Sequence, residues 1–348
     1  MAFSVPHYFK PALLLGLDIG PAALRMVELS QGADRRFRLE RHAMLVLPAG
    51  VIADRHIQHP AQLAEHIAAL AARLGSKRKR VALALPADAV FMRPMAVPAH
   101  IGATALEQLI AAEAGGYLNL TPDQVRVDYQ FSRTGPDGAA EHEIVLAAAR
   151  REQVEDRIAA VEAAGLTPAV LDIDLYAAHA ACLPAGNGFE MRDQDVLVLL
   201  MCDAARTQVA LFDRHQLLHH RELPGCGQNA DVLHIAAAAT RALPLALPPG
   251  ASLSQFFIGG DCSATRLHEL CEALQAMTAQ LEQAGQSTVA CKVVQAFAAM
   301  QIGKAAAASA TTEGDDTHVP NHSESGDDAD HPAAYLVACG LAMRRSAS

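Results

Sequence analysis

The stretch Leu15-Gly16-Leu17-Asp18-Ile19-Gly20, followed by Pro21-Ala22-Ala23-Leu24-Arg25-Met26-Val27-Glu28-Leu29, carries most of the information about the fold. The run Leu13 to Leu17 is typical of a buried strand, and Leu24 to Leu29 alternates as a hairpin partner should. Asp18 supplies a carboxylate that could hold a metal ion or water, and Gly20 permits a turn whose N–H groups face an anion. An acid and a glycine after a strand also occur in ordinary hairpin turns, so both interpretations stay open.

Length and composition indicate an α/β protein with two lobes. The chain has 348 residues, more than a single hydrophobic core usually supports. It is 51% hydrophobic but only 4% aromatic and has no Trp, so Ala, Leu and Val must fill the interior. Such a core suits closely packed helices on a sheet.

Charge and cysteine content exclude some classes of partner and indicate the redox compartment of the chain. The net charge is -10, but residues 305–331 contribute seven acids and no Lys or Arg, which leaves about -3 for the rest. This balance indicates neither nucleic acid nor a strongly anionic membrane as the main partner. Seven scattered cysteines without a C-x-x-C pair indicate buried thiols in a reducing compartment. No apolar run reaches 18 residues, so we expect a cytoplasmic chain without direct membrane insertion.

The order of apolar patterns predicts the elements of the first lobe and of a unit inserted in it. A hairpin is followed by a helix over Pro60–Leu74 and a buried strand over Val81–Leu85. The inserted unit has predicted helices over Ala103–Ala114, ending at Gly115-Gly116, and Arg151–Ala164, ending at Gly165; its predicted strands are Val125–Phe131, Glu143–Ala149 and Ala169–Ile173, with a turn at 135–138.

The second lobe repeats the outline of the first. Strands are predicted over Asp195–Met201, Thr207–Phe212, Leu217–Leu223 and Phe256–Ile258, the last running into Gly259-Gly260, and helices over Val232–Leu243 and Ala264–Leu281. Residues 305–331 are acidic and poor in apolar residues, which predicts a disordered loop before a closing helix over Ala334–Arg344.

Five segments in order resemble the PilM family of type IV pilus assembly proteins, actin-like relatives of the cell-division protein FtsA. They are G-L-D-I-G at 16–20, E-A-x-x-Y at 113–117, L-A-A-A-R-R-E-x-V at 146–154, A-G-L-x-P-A-V-L-D at 164–172 and A-C-G-L-A-M-R at 338–344. The resemblance implies a two-lobed actin-like, ribonuclease H-like fold with an inserted 1C-type subdomain. Only residues 228–231 separate the turn at 225–227 from the next helix, so most of subdomain 2B is expected to be absent.

The resemblance also divides the chain into units. The expected first lobe, 1A-like, comprises 1–97, 174–185 and 333–348, and the 1C-like insertion comprises 98–173. The expected second lobe, 2A-like, spans 186–304, and the acidic loop spans 305–332.

A nucleotide site, ATP or ADP with Mg²⁺, is implied by the family but is altered in this sequence. The candidate positions are Asp18, Gly20, Ala22, Arg25, Asp203, Gly259 and Gly260. The second phosphate turn of the family, D-I-G-A, corresponds without a gap to Met201-Cys202-Asp203-Ala204, which puts a thioether at the acid and an acid at the glycine. A slip of one or two residues would restore an acid at Asp203 but no glycine.

Substitutions in the first turn point the same way. Pro21 removes a backbone donor, and Ala22 and Arg25 stand where the family has small hydroxyl residues and a Lys. Arg25 either pairs with phosphate or lies on the solvent face of the hairpin. We therefore expect a degenerate nucleotide site, no catalytic residues and no ATP turnover, with bound nucleotide possible; an active ATPase is the alternative.

The partner implied by the resemblance is the N-terminal cytoplasmic tail of PilN, within the inner-membrane alignment complex. The family captures this peptide between subdomains 1A and 1C, where Tyr117 and Leu118 would form a wall; the alternative is a plain helix end. The chain would then be a cytoplasmic scaffold recruited to the inner face of the inner membrane. A GspL-like module of type II secretion is another alternative.

The remaining candidates are weaker. Lys77-Arg78-Lys79-Arg80 is either a solvated loop or a contact to membrane phosphate. His219-His220 and the loop histidines His318, His322 and His331 lack metal-site spacing, so no metal site is expected. The sequence does not determine the oligomeric state.

Overall fold

The computed structural model describes residues 13–53, 55–133, 141–185, 191–192, 194–203, 206–214, 216–227, 229–248, 250–282, 289–303 and 330–345. In chain order the strands are β1 (Leu15–Ile19), β2 (Ala23–Gln31), β3 (Phe37–Val46), β4 (Ile52–Ala53), β5 (His56–Ile57), β6 (Arg80–Leu85), β7 (Val90–Pro98), β8 (Val125–Arg133), β9 (Glu141–Arg150), β10 (Thr167–Ile173), β11 (Asp195–Cys202), β12 (Thr207–Phe212), β13 (Leu217–Leu223), β14 (Ser252–Gly260), β15 (Ala290–Val293) and β16 (Gln301–Ile302). The helices are α1 (Pro60–Leu74), α2 (Ala103–Leu118), α3 (Arg151–Ala163), α4 (Asp174–Ala185), α5 (Val232–Ala246), α6 (Ala264–Glu282) and α7 (Leu336–Ala342).

The two lobes are built on sheets with the same strand order, apart from β16, which adds a sixth strand beside β3 in the first sheet. The first sheet runs β10-β6-β1-β2-β3-β16 and the second runs β13-β12-β11-β14-β15. In each, the first three strands are antiparallel neighbours, and two further strands join parallel to the first. The second lobe therefore repeats the first, as its sequence outline predicts.

Helix α1 shows how sequence spacing builds the first lobe. Leu63, Ile67 and Leu70 recur on one face and are fully buried against the sheet. Burying each such side chain contributes about 2 kcal/mol. The helix begins with Pro60, whose missing N–H costs nothing there, and ends at Gly75, whose φ of 64° is left-handed.

The inserted unit is a three-stranded antiparallel sheet, β7-β9-β8, covered by α2. The helix does not end at Gly115-Gly116 as predicted but continues to Leu118, with Asn119 as a left-handed cap at φ 53°. Gly115 is required because the Leu120 carbonyl lies where its Cβ would point, and the Leu120 N–H donates to the Gly115 carbonyl at 3.0 Å. The predicted turn at 135–138 lies outside the described residues.

Sheet membership places the edges of this unit differently from the predicted 98–173. Strand β7 already belongs to it from Val90, whereas β10 pairs with β6 in the first sheet. Helix α3 packs on α1. The division of the chain into units remains a prediction.

Helices α4 and α7 lie in one hydrophobic core that joins the two lobes. This core contains side chains from both sheets, such as Val27 and Phe212, together with Leu175 of α4 and Leu336 of α7. A Cβ on Gly16 would overlap the Ala338 carbonyl of α7. A Cβ on Gly340 would overlap the Ala177 carbonyl of α4. These close backbone contacts join β1, α7 and α4, and the shared core around them links the two lobes.

The end of the chain differs in detail from the prediction. Residues 304–329, most of the predicted disordered loop, lie outside the described residues, but 330–332 are placed. The Tyr335 hydroxyl donates to Asp330 at 2.6 Å, and a 3₁₀ turn over Pro332–Tyr335 precedes α7. Helix α7 ends at Ala342. Among the described residues, no helix is long and apolar enough to cross a membrane.

Candidate functional site

Each lobe has a hairpin turn after its first strand, and the two turns are equivalent. The Gly20 N–H donates to the Ala23 carbonyl at 3.1 Å, and the Asp203 N–H donates to the Arg206 carbonyl at 2.9 Å. Asp18 lies opposite Arg25 across the first hairpin, and Met201 lies opposite Gln208 across the second. Met201 therefore takes the place of Asp18, and no register slip restores an acid. Ala204 lies outside the described residues.

Arg25 crosses from the first lobe to the second. Its side chain is 3% exposed, and its Nη1 lies 3.7 Å from Oδ2 of Asp261, which follows β14. Its Nε has no hydrogen-bond partner among the described residues. The alternative that placed Arg25 on the solvent face of the hairpin is wrong, because β2 is buried on both faces here.

The carboxyl groups around Arg25 influence one another. The pKa of Asp18 is raised to about 6, mainly by burial; the charge of Arg25 opposes this shift, and the charges of Asp261 and Asp203 add to it. A single guanidinium therefore faces one acid from each lobe, Asp18 and Asp261. Ala22, also a candidate position, accepts a hydrogen bond from the Leu47 N–H at 2.8 Å through its carbonyl.

Gly259 and Gly260 are the last residues of β14, and protein fills the space where their side chains would be. A Cβ on Gly259 would overlap the Leu336 side chain of α7. Gly260 has a φ of 125°, and a Cβ there would overlap the backbone of Cys202. Backbone packing requires glycine at Gly260, and a side chain at Gly259 would displace Leu336, in both cases without reference to a ligand.

An ion network connects the lobes beside these turns. Arg55 Nε lies 2.6 Å from Asp88, and its Nη2 lies 3.0 Å from Glu222 of the second lobe. Arg206 of the second lobe contacts the same Asp88 and also Asp203, at 3.3 Å. Each lobe thus contributes at least one cation and one acid, and Asp88 accepts from both cations.

Asp174, the first residue of α4, lies close to this network. Burial raises its pKa to about 7, although the N–H groups of Ala87 and Leu175 and the charge of Arg206 oppose the shift. The Ala87 N–H donates to its Oδ1 at 2.9 Å. Near neutral pH this carboxyl group is balanced between its two protonation states.

A cleft of about 440 Å³ opens where the inserted unit meets both lobes. Its apolar wall consists of Val90, Phe91 and Leu118, and its polar wall includes Arg55, His56, Asp88, Arg150, Gln153 and His220. Gln153 is buried and its Nε2 lies 3.3 Å from His56 Nε2. Asp88 Oδ1 is buried without a hydrogen-bond partner among the described residues.

The structure separates the two residues predicted to form a groove wall. Leu118 lines the cleft, whereas Tyr117 does not. The Tyr117 ring is 46% exposed, stacks on Phe91 at 4.9 Å and lies 4.5 Å from the Arg93 guanidinium. Tyr117 therefore supports Phe91 from outside the cleft.

Sequence reasoning missed Arg55, Asp88, Arg206 and Glu222, because their partners are distant in the chain. The available signal was positional: Asp88 follows the buried strand β6, at the same sheet edge as Asp18. Among the described residues, no group of three or more metal-ligating side chains could hold a metal ion. His331 is described, and its Nε2 lies 2.6 Å from the Cys262 carbonyl; His318 and His322 lie outside the described residues.

Comparison with known proteins adds independent information. A family model described as type IV pilus assembly protein PilM matches residues 16–233. Among solved structures, a chain of a PilM-PilN type IV pilus biogenesis complex superposes with a TM-score of 0.72 at 22% identity, covering 96% of this chain and 99% of that chain. This likeness confirms the predicted two-lobed actin-like α/β fold.

Two further structures are more distant. The ethanolamine utilization protein EutJ from Carboxydothermus hydrogenoformans has a TM-score of 0.47 at 12% identity, covering 96% of this chain and 90% of its own. The cytoplasmic domain of EpsL, an inner-membrane component of the type II secretion system of Vibrio cholerae, has a TM-score of 0.42 at 11% identity, covering 76% and 94%.

Proposed function

Because the chain belongs to the PilM family of type IV pilus assembly proteins, we propose that it is a cytoplasmic scaffold of the inner-membrane pilus assembly complex. Its partner is the N-terminal cytoplasmic tail of PilN, captured as an extended peptide. Recruitment through this tail holds the scaffold at the inner face of the inner membrane. The protein acts by binding and not by turnover.

The observation that carries the proposal is the cleft between the inserted unit and the two lobes. Phe91 and Leu118 offer apolar contacts to alternate side chains of an extended peptide, and Gln153 and Arg150 offer donors to its carbonyl groups. An apolar wall with a few placed polar groups is typical of ligand-binding clefts.

The turns that would hold nucleotide phosphates do not fit that ligand. The Gly20 N–H is already bonded to Ala23, Met201 replaces an acid, and the buried Arg25 already faces Asp261 of the second lobe. Phosphoryl transfer needs a metal held by carboxylates and a positioned water. We propose that the site is degenerate and does not hydrolyse ATP.

Peptide capture and lobe arrangement share residues. Arg55 and Asp88 line the cleft and also belong to the ion network that reaches Glu222 and Arg206 of the second lobe. A peptide that contacts Asp88 therefore changes the ion pairs of that network. Binding therefore shifts the lobes to the extent that it favours one arrangement over another.

The test is a titration of the wild-type chain with a synthetic PilN N-terminal peptide, with and without ATP and Mg²⁺. Leu118→Ala, which removes part of the apolar wall, should weaken binding about tenfold. The matched control is Leu233→Ala, because Leu233 is 58% exposed on α5 and does not line the cleft. Thermal melting establishes that both variants are folded.

The scaffold is supported if Leu118→Ala lowers the peptide affinity and Leu233→Ala leaves it unchanged. The affinity should also be the same with and without ATP. Absence of peptide binding by the wild type would refute the proposed capture of the PilN tail. A Mg²⁺-dependent ATPase rate above background that Asp18→Ala abolishes would instead support the active ATPase.

A further inference from the structure

Six exposed cations lie at one end of the first lobe. They are Arg35, Arg36, Lys77, Lys79, Arg80 and Arg345, called here the basic end. Three separate parts of the chain contribute them: the β2–β3 turn, the segment from α1 into β6, and the residues after α7. Their proximity is therefore a property of the fold that no single sequence run reveals.

Backbone contacts bring these parts together. Leu13 forms an isolated bridge with Arg345, whose guanidinium donates to Gln31. The Gln31 amide donates in turn to the Arg35 carbonyl at 2.8 Å. Between them Arg78 donates to the Leu29 carbonyl at 2.7 Å, which fixes the segment that carries Lys77 and Lys79 beside the end of β2.

Few acids offset this charge. Glu28 is 9% exposed and is engaged by Arg41 at 3.5 Å and by Arg78 at 3.3 Å. Asp34 is exposed and lies 4.0 Å from Arg36. The basic end is therefore strongly positive on a chain whose net charge is -10, and the overall charge conceals it.

The basic end also lies away from the cleft. Lys79 and Arg80 stand at the start of β6, and Asp88 of the cleft follows the end of the same strand. A six-residue strand separates them by about 20 Å. A large surface can cover the basic end while the cleft remains open to a peptide.

We propose that the basic end binds the anionic surface of a phospholipid membrane. Long exposed Lys and Arg side chains from three segments suit a fluid layer of negative headgroups, which adapts to dispersed charge; a folded acidic partner needs a complementary shape. The proposal rests on the proposed function, which places the scaffold beside the inner membrane. It assigns to this face a second contact, separate from the cleft.

The experiment measures co-sedimentation of the full chain with vesicles, either pure phosphatidylcholine or phosphatidylcholine with about one third phosphatidylglycerol. The test variant is the double change Lys77→Glu and Lys79→Glu. Its matched control is Arg221→Glu with Arg241→Glu, which alters net charge equally at two exposed cations of the second lobe. The PilN peptide titration is repeated on every protein.

The wild-type chain should bind the anionic vesicles at low salt and dissociate from them at high salt. It should not bind vesicles of pure phosphatidylcholine. Each altered Lys should cost at least about fivefold in partition, which corresponds to roughly 1 kcal/mol. The Arg221 and Arg241 control should bind as wild type does. Equal losses in both double variants, or no vesicle binding at all, would overturn the membrane contact. If the membrane contact is overturned but the peptide affinity is intact, the proposed scaffold function is retained. Vesicle binding without peptide binding would refute the scaffold function but not the membrane contact.

Discussion

Arg25 is a buried cation of the first hairpin that faces an acid of the second lobe. The side chain lies among acids of both lobes and pairs with Asp261. Removing a charge from water is costly, and a buried ion pair recovers that cost only while both partners remain. Arg25 therefore provides the positive charge that acids at such a turn would otherwise need from a bound ligand.

Replacing Arg25 with Met should lower the free energy of unfolding by about 3 kcal/mol, because Asp18 and Asp261 are left near one another without a cation. Urea denaturation measures the change. The control is Arg36→Met, which removes an exposed pair with Asp34 and should cost less than about 1 kcal/mol. Equal effects of the two substitutions would contradict the assignment of Arg25 as a buried counterion.

Asp174 predicts a pH dependence. In the folded chain its pKa is raised from 3.8 to about 7, so the native state retains a proton that the unfolded state releases. Stability from this group is present at low pH and falls as the pH rises through that interval. Asp174→Asn keeps the acceptor for the Ala87 N–H but cannot ionise. Its stability relative to wild type should therefore increase with pH by up to about 1.4 kcal/mol per unit.

Denaturation of Asp174→Asn and wild type at a series of pH values measures this difference. The two unfolding free energies should diverge between the ordinary and raised pKa and run parallel outside that interval. A constant difference across the whole series would show that Asp174 ionises normally.

Individual site residues could be predicted only where the signal was local. The ungapped alignment placed Met201 at the position of Asp18, and the strand register agrees. The environment of Arg25 could not be predicted, because Asp261 comes from another lobe and pairs with it only through the tertiary fold. The same holds for Arg55 and Glu222.

At the scale of elements, clear periodicity predicted well and local breakers misled. Helix α1 and strands β12 and β13 have the predicted bounds. Strand β7 was not predicted, because Pro94 and Pro98 argue against a strand. These prolines are tolerated because β7 lies at the edge of its sheet. Helix α2 passes through Gly115-Gly116 because packing of its apolar face outweighs weak glycine propensity.

The packing of α4 against α7 predicts opposite effects for two glycine substitutions. Gly340→Ala forces a Cβ into the Ala177 carbonyl and should destabilise the chain by about 3 kcal/mol, measured as a lower urea midpoint. Gly116→Ala places a Cβ in open space within α2 and should stabilise it by about 0.5 to 1 kcal/mol. Similar effects of both would mean that α4 and α7 do not touch as described.

At the scale of the whole molecule, the lobes are joined at two levels. The core around α4 and α7 is apolar and holds the base, whereas the Arg55, Asp88, Arg206 and Glu222 network lies at the cleft. Only the second level involves residues that a bound peptide would contact. Changes in lobe arrangement should therefore originate at the network and leave the base unchanged.

Arg206→Met should loosen this upper contact without disrupting either core. Hydrogen exchange should accelerate in residues 55–57 and 86–89, while the buried face of α1 keeps its protection. The control is Arg126→Met, whose pair with Glu155 is half exposed and lies on the inserted sheet. Faster exchange throughout the chain would indicate global destabilisation and would argue against a separable network.

The contact of Gly16 with Ala338 also concerns how the protein is made. Strand β1 leaves the ribosome before the helix that covers it, which is synthesised roughly 320 residues later. At ordinary translation rates the nascent first lobe waits roughly 20 to 60 seconds with Leu14 and Val27 uncovered. During that interval the growing chain presents an apolar sheet face, which makes it a client for chaperones that bind at the tunnel exit.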